Sequence, residues 1–180
     1  MLPVLQGVVD LLRSGPETPV VQGAADGDEG NSVDVVGPLT VAFTHDNQIN
    51  ELASILGVFD EQVPLAADSL DESRIYVSSR INPMRGTVAF ERLDCSGRKY
   101  LRLLLNDAVY PVPSCKSGPG VSCPLREYDE RVLARKWAEA GGSFETLCQL
   151  PQGSASTSSR TGGVTFFTDL TLKGIRVVRP

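Results

Sequence analysis

The sequence predicts an α/β domain, a sheet flanked by helices, and three observations predict it. An apolar run from Leu39 to Phe43 leads straight into the amphipathic pattern Ile49, Leu52, Ala53, Leu56, the order of a strand that feeds a helix. Three further strand-like runs begin at Gly86, Lys99 and Ala108, separated only by short turn sequences. Helical patterns lie on either side of these runs, over residues 2–12 and from Pro124 to Ala140.

In chain order, Leu2, Leu5, Val8, Val9 and Leu12 recur at helical spacing, and Ser14-Gly15-Pro16 stops the pattern. The opening lacks a cationic leader, and Pro3, Gln6 and Asp10 interrupt its apolar run, so it does not read as a secretory signal. Residues 16–37 carry prolines, glycines and the acids Glu17, Asp26, Asp28, Glu29 and Asp34; without regular ligand spacing this reads as a solvated loop, not a metal site. Leu39, Val41, Ala42 and Phe43 are expected to form a short buried strand. Ile49, Leu52, Ala53 and Leu56 then give the inner face of a helix that Gly57 caps.

Residues 58–73 read as a loop around Pro64, followed by a short apolar segment at Arg74-Ile75-Tyr76-Val77-Ser78 and a turn at Asn82-Pro83. The three strand runs come next, with turns at Cys95-Ser96-Gly97-Arg98 and Asn106-Asp107, so an antiparallel meander is expected. Pro124 stands at a tolerated first-turn position of the last helix, on which Trp137 is expected to anchor to the core, and Gly141-Gly142 ends it. From Pro151 the Ser/Gly/Thr-rich composition is linker-like, and residues 151–180 are expected to form a poorly ordered tail despite a weak β pattern from Val164 to Val178.

The 180 residues are 41% hydrophobic and 22% charged, a composition that suits one globular domain. Acids outnumber bases to a net charge of -5 and no Lys/Arg cluster breaks the balance, so nucleic acid is not an expected partner. No run reaches the roughly 18 apolar residues of a membrane span, and no membrane association is expected. Cys95, Cys115, Cys123 and Cys148 lack C-x-x-C spacing, and with one histidine they do not complete the usual zinc sets. A disulfide is the better reading: Cys115 and Cys123 flank a Gly-Pro-Gly loop, and closing it is worth about 2–3 kcal/mol on the loop-entropy model. Disulfides persist in oxidising compartments, which conflicts with the absence of a leader.

The chemistry concentrates at His45 and Asp46. His45 is the only histidine in the chain, which excludes H-E-x-x-H zinc chemistry; no G-x-S-x-G, P-loop or G-x-G-x-x-G appears either. A strand-to-helix junction places such a pair beside the unsatisfied N–H groups of a helix start, where α/β proteins bind anions. There an imidazole is able to hold an anion and a carboxyl group to act as general acid. The structural alternative is that Asp46 or Thr44 simply caps the helix. Arg80 and Arg85, flanking the Asn82-Pro83 turn, are candidates for phosphate contact or for plain surface roles.

The stretch Gly37-Pro38-Leu39-Thr40-Val41-Ala42-Phe43-Thr44-His45-Asp46-Asn47-Gln48-Ile49 resembles the C-terminal His-Asp motif of the histidine acid phosphatases, in particular the fungal secreted acid phosphatases and phytases. Asn82 through Cys95, Leu103 through Cys115, and Cys123 through Cys148 resemble the last third of that family in the same order, so the likeness covers about residues 1–150. The resemblance implies part of a phosphoglycerate-mutase-like sheet flanked by helices, with the family's N-terminal half and helical insertion lacking, and a tail at 151–180 outside the match. It implies phosphomonoester hydrolysis through a phosphohistidine, with Asp46 as proton donor and His45 in the phosphate pocket, and no cofactor or metal.

The family's nucleophile is the histidine of an R-H-G-x-R-x-P motif, and that motif does not occur in the 180 residues. The chain is therefore expected to be inactive alone, either an incomplete gene product or a non-catalytic phosphate-binding remnant. Its implied partners are a phosphomonoester or inorganic phosphate, with phytate as the alternative substrate, and the N-terminal half of the same enzyme if that is encoded elsewhere. In the family the cysteines matching Cys95 and Cys148 pair upstream, so here both are expected unpaired or mispaired. A complete member is secreted, which would reconcile the cysteines with the missing leader.

Overall fold

A computed structural model describes residues 1–16, 38–142 and 146. The chain divides into two compact units, one of Met1–Leu5 with Phe43–Gly142 and one of Gln6–Ala42 with Ser143–Pro180. Residues 17–37 of the expected loop and the tail from 151, with Cys148, lie outside the described residues.

The first helix, α1 (Leu2–Ser14), follows the predicted spacing: Leu5 and Val9, one turn apart, are fully buried. Within the part of the second unit that is described, Asp10 takes hydrogen bonds from Gln6 Nε2 at 3.1 Å and Arg13 Nη1 at 2.6 Å, the neighbourly pairing of positions three and four apart on a helix. Gly15, with φ +97, ends it.

The first unit is built on an antiparallel sheet. Strands β1 (Val88–Cys95) and β2 (Arg98–Leu105) pair along their whole length, from Val88 opposite Leu105 to Cys95 opposite Arg98. The connection is tight because Ser96 and Gly97 both take positive φ, 55° and 78°, as a two-residue hairpin of this hand requires. The next turn repeats the device with Asn106 and Asp107 at 50° and 66°, and returns the chain as β3 (Ala108–Val109) beside the end of β2. The expected meander is thus present. A fourth short strand, β4 (Cys123–Pro124), pairs with Tyr100 and Leu101 at the other end of β2; nothing local in its two residues marks it as a strand.

Alternation along β2 sends Leu101, Leu103 and Leu105 to the buried face. On the opposite face Glu91 and Arg102, directly cross-strand, form an ion pair at 2.5 Å. The helical stretch predicted from Pro124 to Ala140 is present as α4 (Leu125–Tyr128), one π-turn over Asp129–Leu133, and α5 (Ala134–Ala140), stopped by Gly141 in the left-handed region at φ +85. The wide turn keeps Tyr128, Val132 and Leu133 all buried. Trp137 on α5 is only half-buried.

Helix α2 (Asp46–Ile55) buries Ala53, with Leu56 fully buried just beyond it. Gly57 caps it at φ +86, and a side chain there would meet Val132 Cγ1 at 2.9 Å, so glycine is required twice over. Tyr128 closes the same corner: its buried hydroxyl donates to the Leu56 carbonyl at 3.0 Å. The following turn is tied to α5 by Asp60, which accepts from Lys136 Nζ at 2.7 Å and from Arg135 Nη2. Cys115 and Cys123 form the expected disulfide, and Cys95, at the end of β1, is a free thiol.

One expectation is corrected. The segment Leu39–Phe43 is not a buried strand: it pairs with no strand among the described residues, and Leu39 and Phe43 are 78% and 96% exposed. A strand of this apolar type is buried only where both of its faces are covered. After the short apolar segment Arg74–Val77, Ser78 opens a short helix that was not expected, α3 (Ser78–Ile81), which carries the fully buried Ile81.

Candidate functional site

His45 is the residue before α2, with φ -85 and ψ 164, and Asp46 is the first residue of the helix. The sequence makes this start sharply. Gln48 reaches back so that its Oε1 accepts from the His45 backbone N–H at 3.0 Å and from Thr44 Oγ1 at 3.1 Å, which fixes the entry of the chain. Asp46 Oδ1 accepts from the Asn47 N–H at 2.8 Å, and Asn47 Oδ1 from the Gln48 N–H at 3.0 Å. Side-chain oxygens therefore meet two of the orphan donors of the first turn. His45 rather than Asp46 holds the cap position; the Asp46 carboxylate bonds only the next residue's N–H, and its second oxygen carries no hydrogen bond among the described residues.

Both His45 and Asp46 are exposed. A helix of this length presents partial positive charge at its N-terminus, which favours an anion next to the imidazole. Exposure leaves the pair open to a ligand and does little to strengthen its electrostatics, because water screens it.

What holds this helix start comes from far along the chain. Asn82, the residue that ends α3, donates from Nδ2 to the Asp46 carbonyl at 2.8 Å. One turn further on, Asn50 Oδ1 accepts from Tyr76 Oη and Ser78 Oγ, each at 3.4 Å. Tyr76 is in turn edge-on to Phe59, ring centroids 5.0 Å apart. The turn from Asn82 thereby lies beside the start of α2. Arg80 sits in α3 and Arg85 in the left-handed region at φ +65; both are exposed. Gln48, Asn50 and Asn82 were not singled out by sequence reasoning for the site. Only Gln48, three residues after His45, had a local signal, that of a capping box.

Among the described residues no group of three or more His, Cys, Asp or Glu side chains is placed to hold a metal ion, and no helix is long and apolar enough to cross a membrane.

Residues 18–106 match the family model of the histidine phosphatase superfamily (branch 2). The chain is similar to a repressible acid phosphatase of Kluyveromyces lactis, 34% identical over 130 residues that make up 72% of this chain and 26% of that protein. It is similar to an acid phosphatase of Komagataella pastoris, 34% identical over 122 residues, 66% of this chain and 25% of the relative. A phytase of Candida albicans is 34% identical over 95 residues, 53% of this chain and 21% of the relative. Among solved structures, the crystal structure of the phytase from D. castellii superposes with a TM-score of 0.65 at 26% identity, over 93% of this chain and 32% of that one. The chain thus spans about a quarter of the length of the acid phosphatases it matches.

Proposed function

Because the chain belongs to branch 2 of the histidine phosphatase superfamily, we propose that it carries the leaving-group half of a phosphomonoesterase site, with His45 holding phosphate and Asp46 protonating the departing oxygen. The observation that carries the reading is the placement of this His-Asp pair, exposed at the N-terminus of α2, inside the span that matches the family. General acid assistance at the leaving oxygen contributes about 10²- to 10⁴-fold in rate in such reactions. Helix N–H groups beside the imidazole favour the dianionic group being transferred.

A covalent mechanism also needs a nucleophile. The one histidine of the 180 residues is His45, and R-H-G-x-R-x-P is not among them. The partner proposed for these residues is accordingly a polypeptide that bears that motif. Two exposed apolar side chains, Phe43 two residues before His45 and Met84 two residues past Asn82, at 96% and 95% exposure, are suited to such a contact. Phosphomonoesters are the substrate class. The relatives named as acid phosphatases and as a phytase keep both a general phosphomonoester and phytate within it. Export to an oxidising compartment fits the Cys115–Cys123 bond.

A second reading, retained phosphate binding without turnover, is favoured by the same absence of a second histidine. One pair of measurements tests the phosphate site and the need for a partner nucleophile that both readings share. The 180-residue chain is assayed with an aryl phosphate at acidic pH and titrated calorimetrically with inorganic phosphate, as wild type and as His45→Ala. Binding heat that disappears in His45→Ala, without turnover, is the expected result for this chain by itself. Heat-labile turnover that needs His45 would overturn the need for a partner nucleophile, and a flat titration would remove the phosphate site.

A further inference from the structure

Resting on the assignment of Asp46 as the leaving-group acid, we propose that Asn82 is a positioning residue for that acid, acting through the Asp46 backbone. Its Nδ2 donates to the Asp46 carbonyl at 2.8 Å, across 36 positions of sequence. Asp46 is the first residue of α2, so holding its carbonyl fixes the backbone from which the carboxylate projects. Hydrogen bonds within α2 hold Asp46 to its own helix. The Asn82 bond refers it to another part of the molecule.

Asn82 is itself restrained by its neighbours. Its backbone N–H donates to Ser78 O at 2.8 Å, closing α3. Behind α3 stands Asn106 of the β2–β3 turn, whose Nδ2 donates to the carbonyls of Arg80 at 2.9 Å and Ile81 at 3.0 Å. The Oδ1 of Asn106 accepts from the Thr87 N–H at 2.9 Å, and its own N–H donates to Thr87 O at 3.0 Å. Ile81, between the two asparagines, is buried in the core. The turn after Asn82 is closed by the Gly86 N–H on Pro83 O at 2.8 Å. A Cβ at position 86 would come within 3.0 Å of Asn82 Oδ1 and 3.1 Å of Pro83 O, so glycine leaves the room in which the Asn82 amide sits. The chain of contacts runs from the β2–β3 turn through Asn106, α3 and Asn82 to the first residue of α2. An amide so restrained loses little freedom in making its bond, which is what a positioning contact at an exposed site requires.

The test uses the isotopically labelled 180-residue chain as wild type, Asn82→Asp, Asn82→Ala and Gly86→Ala. Asn82→Asp keeps the shape and removes the donor; Gly86→Ala keeps the donor and displaces it. Loss of the bond is expected to shift the Asp46 carbonyl resonance and to speed exchange of the first-turn amides of α2 by about 2- to 10-fold in both Asn82 variants, with β1–β2 amides unchanged. Gly86→Ala is expected to fall between. With inorganic phosphate as probe, half-saturation of the His45 ring signals, unambiguous in a chain with one histidine, is expected to rise by a similar factor, about 2- to 10-fold. An unchanged Asp46 resonance and unchanged α2 exchange in both Asn82 variants would overturn the proposal, as would acceleration spread evenly over the molecule, the mark of a purely structural loss. If the wild-type His45 signals ignore phosphate, the phosphate-site reading fails and the α2 and Asp46 signals still decide the role of Asn82.

Discussion

Tyr128 shows how much one buried polar atom ties together. Its ring is fully buried and its hydroxyl has the Leu56 carbonyl as partner, at the point where α2 ends. Tyr128→Phe keeps the ring and strands that carbonyl, which should lower the unfolding free energy by about 1–3 kcal/mol, measured by urea melts. Burial pushes the Tyr128 phenol well above its ordinary value of 10.0. A proton is then held more tightly in the folded state than in the unfolded one. The associated stability is complete below pH 10.0 and is lost as the pH rises beyond it. Stability measured across that range should fall in wild type more steeply than in Tyr128→Phe, and equal slopes would count against the assignment. At Gly57 the left-handed backbone and the nearby Val132 methyl both exclude a side chain. Gly57→Ala is expected to cost about 1–3 kcal/mol in the same melts.

Among elements, the hairpin β1–β2 and its following turn are the parts whose own residues specify them. Ser96-Gly97 and Asn106-Asp107 supply the positive φ angles, and alternating residues supply the two faces. The loop closed by Cys115 and Cys123 leads into β4, whose pairing with β2 depends on where that loop returns. Reduction, or Cys115→Ser with Cys123→Ser, should destabilise the chain by about 2–3 kcal/mol, read as a lower melting midpoint under reducing conditions. Fraying of β4 ahead of the β1–β2 hairpin, seen by amide exchange, would accompany it. Helix α2 was legible as an element, and with it the address of His45 and Asp46 at its start. Its anchors were not: Asn82 reaches Asp46 over 36 positions, and Asn106 reaches Ile81 over 25, distances at which no periodicity or turn rule operates.

On the scale of the molecule, the exposed apolar residues matter most. Leu39, Val41, Phe43, Val63, Leu70 and Met84 all stand open to solvent. A chain with such residues uncovered is expected to bind an apolar-sensing dye below its melting temperature and to associate with rising concentration. Phe43→Ser should diminish the dye signal without lowering the melting midpoint, since the side chain makes little buried contact; an unchanged signal would place the dye elsewhere. The sequence by itself determined the helices at 2–14 and 46–55, the meander, the disulfide between Cys115 and Cys123 and the location of the His-Asp pair, because periodicity, turn chemistry and loop closure act over a few residues. Only the tertiary structure decided that Leu39–Phe43 lies exposed, that α3 and β4 form, and that Asn82 holds the first residue of α2. Each of those depends on whether residues far apart in the chain are brought together, and that is settled by what the whole fold buries.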